Sequence, residues 1–232
     1  MADDGRTAAG DGTPAATAKG ESKRIALSRR GQSAARRAAE SKATIPHLYT
    51  SRTVQLQDGA PADLTPTVVA ALGRALREQP ALNSAYRDGE LEIHSRINIG
   101  LTVETDEGPL LPTLFDADKK GMEELRTEID ALRGRIASGE ITSPELAGGT
   151  VALTAVPRGA DSVMPSVIPG QAAHLGVGRS RDEPVLIDGV PAAGRTVDLT
   201  VSCDQRAAGP EASAALLERL AALLATPTPP TV

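Results

Sequence analysis

Tyr49, Tyr86 and Phe115 are the only aromatic side chains in 232 residues, and there is no tryptophan. Aromatics usually bring the largest buried areas to a core. A fold here must therefore close its interior with aliphatic side chains alone. The same shortage argues against recognising bases or sugars by stacking. Hydrophobic residues are 40% and charged residues 24% of the chain, ordinary for a globular protein. Length gives one domain as the first expectation, two small ones as the limit.

Charge and cysteine usage narrow the function classes. Lys and Arg number 25 against 30 Asp and Glu, a net charge of -5, whereas a nucleic-acid binder usually presents a basic face. No run of about 18 apolar residues is present, so no membrane span is expected. The N-terminus has no apolar signal-peptide core. Cys203, the single cysteine, excludes an intrachain disulfide and a cysteine-cluster metal site. No metal is expected, and a reducing, cytoplasmic setting fits.

Residues 1–21 are rich in Ala, Gly, Thr and Asp and read as a disordered arm; 227–232 read as a Pro-rich tail. The folded body is residues 22–226. An Ala- and Arg-rich helix is expected over 28–41, ended by Ile45-Pro46. A second should run from Thr65, as N-cap, and Pro66 to Glu78. Leu125, Ile129, Leu132 and Ile136 mark one face of a helix over 121–138, with Gly139 as its cap. Leu216, Leu217, Leu220, Leu223 and Leu224 mark another over 210–225. Strands are expected at 48–57, as two within 90–105, and at 109–115, 150–156, 172–178, 184–188 and 195–203. The pattern is mixed α/β, a sheet with helices on one side.

The order of several short motifs resembles the catalytic domain of dihydrolipoamide acyltransferases, core components of 2-oxo acid dehydrogenase complexes. They are ESKATIPH (40–47), REQPALN (77–83), INIGLTVETDEGPLLPTLFDADKKGMEEL (97–125), SGEITSPELAGGT (138–150), LGVG (175–178) and PVLIDG (184–189). The resemblance implies a chloramphenicol acetyltransferase-like fold, forming trimers with the site between subunits.

The resemblance also implies where chemistry should lie. The family carries Asp-His-Arg-x-x-Asp-Gly near its C-terminus, and its His is the general base. Here Asp204 and Arg206 match, Gln205 stands in place of the His, and Gly209 in place of the second Asp. An amide cannot take a proton at neutral pH. Thr154 falls on the hydroxyl that stabilises the oxyanion in the family. His174 replaces an aliphatic residue in an apolar strand; it is either a neutral core histidine or a relocated base. His47 and His94 read as structural and solvated. Asp116, Asp118, Lys119 and Lys120 read as a structural turn, and Cys203 as a buried, inert thiol.

The functional expectation is a stand-alone acyltransferase. Acyl-CoA or an acyl carrier protein would be donor, and a small-molecule hydroxyl or thiol the acceptor, in natural-product biosynthesis of the tetronate kind. No lipoyl group on this chain is expected, and no residues are assigned to cofactor binding. The alternatives are a catalytically dead scaffold, or a pocket reused for a cyclisation. Residues 58–63 stand where the family has a helix, implying a wider acceptor entrance, and the tail lacks the apolar anchor that builds cages.

Overall fold

A computed structural model describes Gly20 and residues 22–156, 158–187 and 189–225. The expected arm (1–21) and tail (227–232) lie, but for Gly20, outside the described residues.

Among the described residues, four α-helices and nine strands follow one another: α1 (Arg29–Thr44), β1 (His47–Gln55), α2 (Thr65–Glu78), β2 (Ser84–Arg87), β3 (Glu90–Ile93), β4 (Ile99–Leu101), β5 (Thr113–Leu114), α3 (Met122–Ser138), β6 (Val151–Ala155), β7 (Ala173–Val177), β8 (Arg181–Ile187), β9 (Val190–Asp204) and α4 (Pro210–Ala225). The main sheet has seven strands in the order β1-β9-β7-β6-β4-β5, with β8 also paired to β9. β4, β6 and β7 run parallel to one another, and the remaining pairings are antiparallel.

Local chemistry sets the boundaries. Ser28 Oγ accepts the Gly31 N–H at 3.0 Å and caps α1. Ile45, before Pro46, is extended and stops that helix. Thr65 is already inside α2; the cap interaction comes from Asp63, whose carboxylate accepts the Thr65 N–H at 2.9 Å. Gly139 ends α3 in the left-handed region at φ 76°. The hairpin β2–β3, a separate two-stranded sheet, went unread across 84–87. Its Asp88-Gly89 turn has φ of 47° and 94°, the geometry that favours a two-residue hairpin loop. Pro109 and Pro112 cut the strand expected over 109–115 to β5 and one isolated bridge, Val103 with Leu110. Pro184 is tolerated in β8 because that strand pairs on one side only.

The core is aliphatic. Its largest fully buried side chains include Leu72, Leu76, Ile99, Ile129, Leu153, Leu175 and Leu199, and no Phe or Tyr is buried. Helix α2 packs against α3 and α4, α4 lies on β1 and β9, and α3 meets β5. Helix α1 is the exception to helices on one side. Only its Ser41 is buried, since an Ala- and Arg-rich helix has no apolar stripe to place on a core.

Alternation along the strands sorts the two sheet faces. Leu153, Leu175 and Val201 belong to the core, so Thr154, His174 and Ser202 point the other way. A segment leading into β7 crosses this second face. A Cβ on Gly176 would sit 2.1 Å from the Val163 carbonyl oxygen, and one on Gly178 would sit 1.7 Å from that of Asp161. Glycine at these two places lets the crossing chain lie directly on the strand.

Candidate functional site

The crossing segment, helix α1 and the second sheet face enclose a cavity of about 760 Å³, within the range common for small-ligand pockets. Thr102, Thr154, His174 and Gln171 line it, opposite Arg37 and Ser41 of α1. The α1–β1 corner anchors the segment that forms its wall. Ser41 Oγ donates to the Val167 carbonyl at 2.5 Å, and the Val167 N–H donates to His47 Nε2 at 3.0 Å. His47 Nδ1 then carries the proton and donates to the Ile45 carbonyl at 2.8 Å. His47 thus has a structural place at the corner.

Parallel pairing of β6 with β7 brings Thr154 beside His174. Ala152 opposes His174 and Thr154 opposes Gly176, leaving the two side chains diagonal neighbours on one face. Thr154 Oγ1 lies 2.8 Å from His174 Nε2 and 2.7 Å from Thr102 Oγ1. His174 Nδ1 lies 2.8 Å from the Ser166 carbonyl. A carbonyl only accepts, so Nδ1 bears the ring proton and Nε2 of the neutral ring is a bare acceptor. Thr154 must therefore donate to His174, and the second hydroxyl, Thr102, donates to Thr154. His174 is 5% exposed. Burial pushes its pKa down to about 4 against the smaller opposing effect of the Ser166 carbonyl, so the ring is neutral at pH 7.

The C-terminal motif lies elsewhere. Asp204 is buried, and its carboxylate receives Arg206 Nη2 at 2.7 Å and the Arg206 backbone N–H at 3.0 Å. The Arg206 guanidinium stacks over the Tyr86 ring at 4.4 Å. Gln205 is exposed, and its backbone N–H donates to the Pro46 carbonyl at 2.9 Å. It does not line the cavity. Within one chain Thr154 and His174 therefore meet, while Gln205 stands apart from both.

Other candidates resolve into structural places. Burial, then the Asp204 charge, pushes the Cys203 thiol up to about 11, and its Sγ faces the Ala208 carbonyl. Asp116 pairs with Arg96 and Lys119, and Asp118 with Arg77, fixing the turn before α3. The His94 N–H is tied to the Asn83 carbonyl. Residues 58–63 do not border the large cavity; Ala62 and Asp63 border a separate crevice of about 30 Å³. Sequence reasoning missed Thr102, whose partner is known only once β4 and β6 are paired. It also missed Gln171, whose buried Oε1 has no partner and whose Nε2 donates to the Gly149 carbonyl at 2.9 Å. Among the described residues, no group of three or more His, Cys, Asp or Glu is placed to hold a metal ion.

Thr154, half-buried, and His174, buried, thus meet on one face of a mixed sheet beside a large cavity. The family model for the 2-oxoacid dehydrogenases acyltransferase (catalytic domain) matches residues 19–231. The chain belongs to that family. It is 31% identical over 163 residues to the dihydrolipoyllysine-residue acetyltransferase component of the pyruvate dehydrogenase complex of Staphylococcus epidermidis, and 30% to that of Staphylococcus aureus. Each match spans 69% of this chain but 38% of the relative. Among solved structures, a probable dihydrolipoamide acetyltransferase from Listeria monocytogenes superposes with a TM-score of 0.83 at 24% identity, covering 88% of this chain and 94% of the other. The dihydrolipoamide acetyltransferase of Azotobacter vinelandii gives 0.84 at 23%, covering 89% and 93%.

Proposed function

We propose that the protein moves an acyl group, acetyl first, from an acyl thioester to a small-molecule hydroxyl or thiol. The donor is CoA or an acyl carrier protein. The observation carrying this reading is the 2.8 Å hydrogen bond between Thr154 Oγ1 and His174 Nε2 inside a cavity of ligand size. Family membership supplies the reaction class. Gln205 has no proton affinity at neutral pH, whereas His174 lines the cavity with an unprotonated Nε2, hydrogen-bonded to Thr154, and takes the part of the base. The chain works as a trimer in the cytoplasm, with the cavity completed by a neighbouring subunit, in a biosynthetic setting of the tetronate kind. Dihydrolipoamide is the first acceptor to try, because the curated relatives are named dihydrolipoyllysine-residue acetyltransferases.

A second reading, a scaffold without turnover, is favoured by the exposed Gln205 and by Gly209 at the motif's second carboxylate position. Incubation with acetyl-CoA and dihydrolipoamide, simple thiols or alcohols decides between them. Release of CoA matched by acetylated acceptor, lost in His174→Asn and kept in Gln205→Ala, supports acyl transfer. No CoA release with any acceptor leaves the scaffold.

A further inference from the structure

We infer that Thr154 is a nucleophile that carries the acyl group as an oxygen ester between donor and acceptor, with His174 as its base. This rests on the acyl-transfer reading above and specifies its course. The direction of the His174 lone pair carries this assignment. A base serving an external acceptor must aim its bare nitrogen at the space where that acceptor arrives. Here the Nδ1 proton is held by the Ser166 carbonyl at 2.8 Å, and Nε2 faces a protein hydroxyl at 2.8 Å.

Occupancy of the hydroxyl points the same way. Thr154 Oγ1 gives its proton to His174, so that proton is not free to hold a substrate oxyanion. With that proton committed to His174, the 2.7 Å contact between the two hydroxyls must run from Thr102 as donor to Thr154 as acceptor, and the other Thr154 lone pair remains for attack. Thr102 is a positioning residue: its hydrogen bond fixes the Thr154 rotamer so that proton and attacking lone pair point in different directions. The arrangement is that of an activated hydroxyl nucleophile, with base and orienting acceptor in line, and a backbone carbonyl in the orienting place.

The Thr154 oxygen forms a bond to the thioester carbonyl carbon as its proton passes to His174 Nε2. The tetrahedral species collapses, the carbon–sulfur bond breaks with its pair on sulfur, and the imidazolium returns the proton to the thiolate. CoA leaves as the free thiol and Thr154 holds the acyl ester. The acceptor hydroxyl or thiol then gives its proton to Nε2 and bonds to the acyl carbon. The Thr154 oxygen–carbon bond breaks, and the proton returns to Thr154. Donor and acceptor thus use one cavity in turn.

The test uses the full chain and acetyl-CoA without acceptor, quenched in acid and read by intact mass and peptide mapping. One acetyl group per chain is expected, on the tryptic peptide spanning residues 136–158, which contains Thr154 and no lysine. Hydroxylamine should remove it, as it does an ester and not a lysine amide. Labelled CoA should exchange into acetyl-CoA with no acceptor present. Thr154→Val should abolish adduct and exchange, Thr154→Ser should keep both, and His174→Asn should slow adduct formation roughly 10²- to 10⁴-fold. An unchanged circular dichroism spectrum and melting temperature of Thr154→Val exclude a folding failure as the cause of its result. If acceptor is acetylated by wild type with no adduct and no exchange, transfer is direct: the nucleophile is refuted and the acyl-transfer reading survives. If no CoA is released at all, both fail together.

Discussion

His174 makes stability depend on pH in a window where few other groups titrate. Its pKa is about 4 in the folded chain and about 6.5 when the ring is free in water. Above about 6.5 both forms are neutral and the ring contributes no difference. Below it, the unfolded chain binds a proton that the folded chain refuses, so stability falls on acidification and the loss is complete near pH 4. Linkage gives a loss of about 2 kcal/mol between pH 7.5 and pH 5, rising to about 3 kcal/mol at the lower limit. For a chain of this size, 2 kcal/mol lowers the melting temperature by roughly 4–8 °C. The assay is urea or thermal unfolding followed by circular dichroism at several pH values and fixed protein concentration. His174→Asn supplies the comparison, because its amide can still donate to the Ser166 carbonyl but cannot titrate. The variant should lose the slope between pH 7.5 and 5. An equal slope in wild type and variant would refute both the buried neutral ring and the proton assignment built on it.

Three further outcomes are expected. Gly176→Ala should cost about 1–3 kcal/mol, because the new Cβ meets the Val163 carbonyl at 2.1 Å; Gly134→Ala, in open space on α3, should gain up to about 1 kcal/mol. Thermal melts showing equal effects would remove the close crossing. The Cys203 thiol should react with a disulfide reagent only after unfolding, because it is buried and its pKa is raised to about 11; labelling of native protein at neutral pH contradicts this. Light scattering should give three times 23.9 kDa, and a stable monomer would undo the completion of the cavity by a second subunit.

Elements whose signal is local were legible in the sequence. Helix α3 shows its apolar face at helical spacing and its stop at Gly139, and α4 shows a leucine stripe. Cys203 could be read as buried from its place in an apolar strand. The site was legible only in its parts. Thr154 was reached through the resemblance, and His174 stood out as a polar residue in an apolar strand. Their juxtaposition depends on parallel register between β6 and β7, which no short stretch encodes. Thr102 needs a third strand. The crossing segment around Val163 escapes detection for a different reason: backbone carbonyls over glycines make its closest contacts, so no side-chain pattern announces it. The hairpin at Ser84–Arg87 was missed through its shortness and mixed polarity, although Asp88-Gly89 carries the turn signal.

The place of β9 has a consequence for the chain's birth. Its residues 199–203 sit between β1, far earlier in the chain, and β7. On the ribosome, β1 is finished long before β9 leaves the exit tunnel, and β7 shortly before it. Until then both present unpaired edges of the kind that recruit foreign strands. Closing the sheet requires contacts across some 150 residues, a separation that slows folding. Nascent chains that stall before Asp204 should accumulate as chaperone clients, and the face carrying Thr154 and His174 is completed only once β9 has emerged.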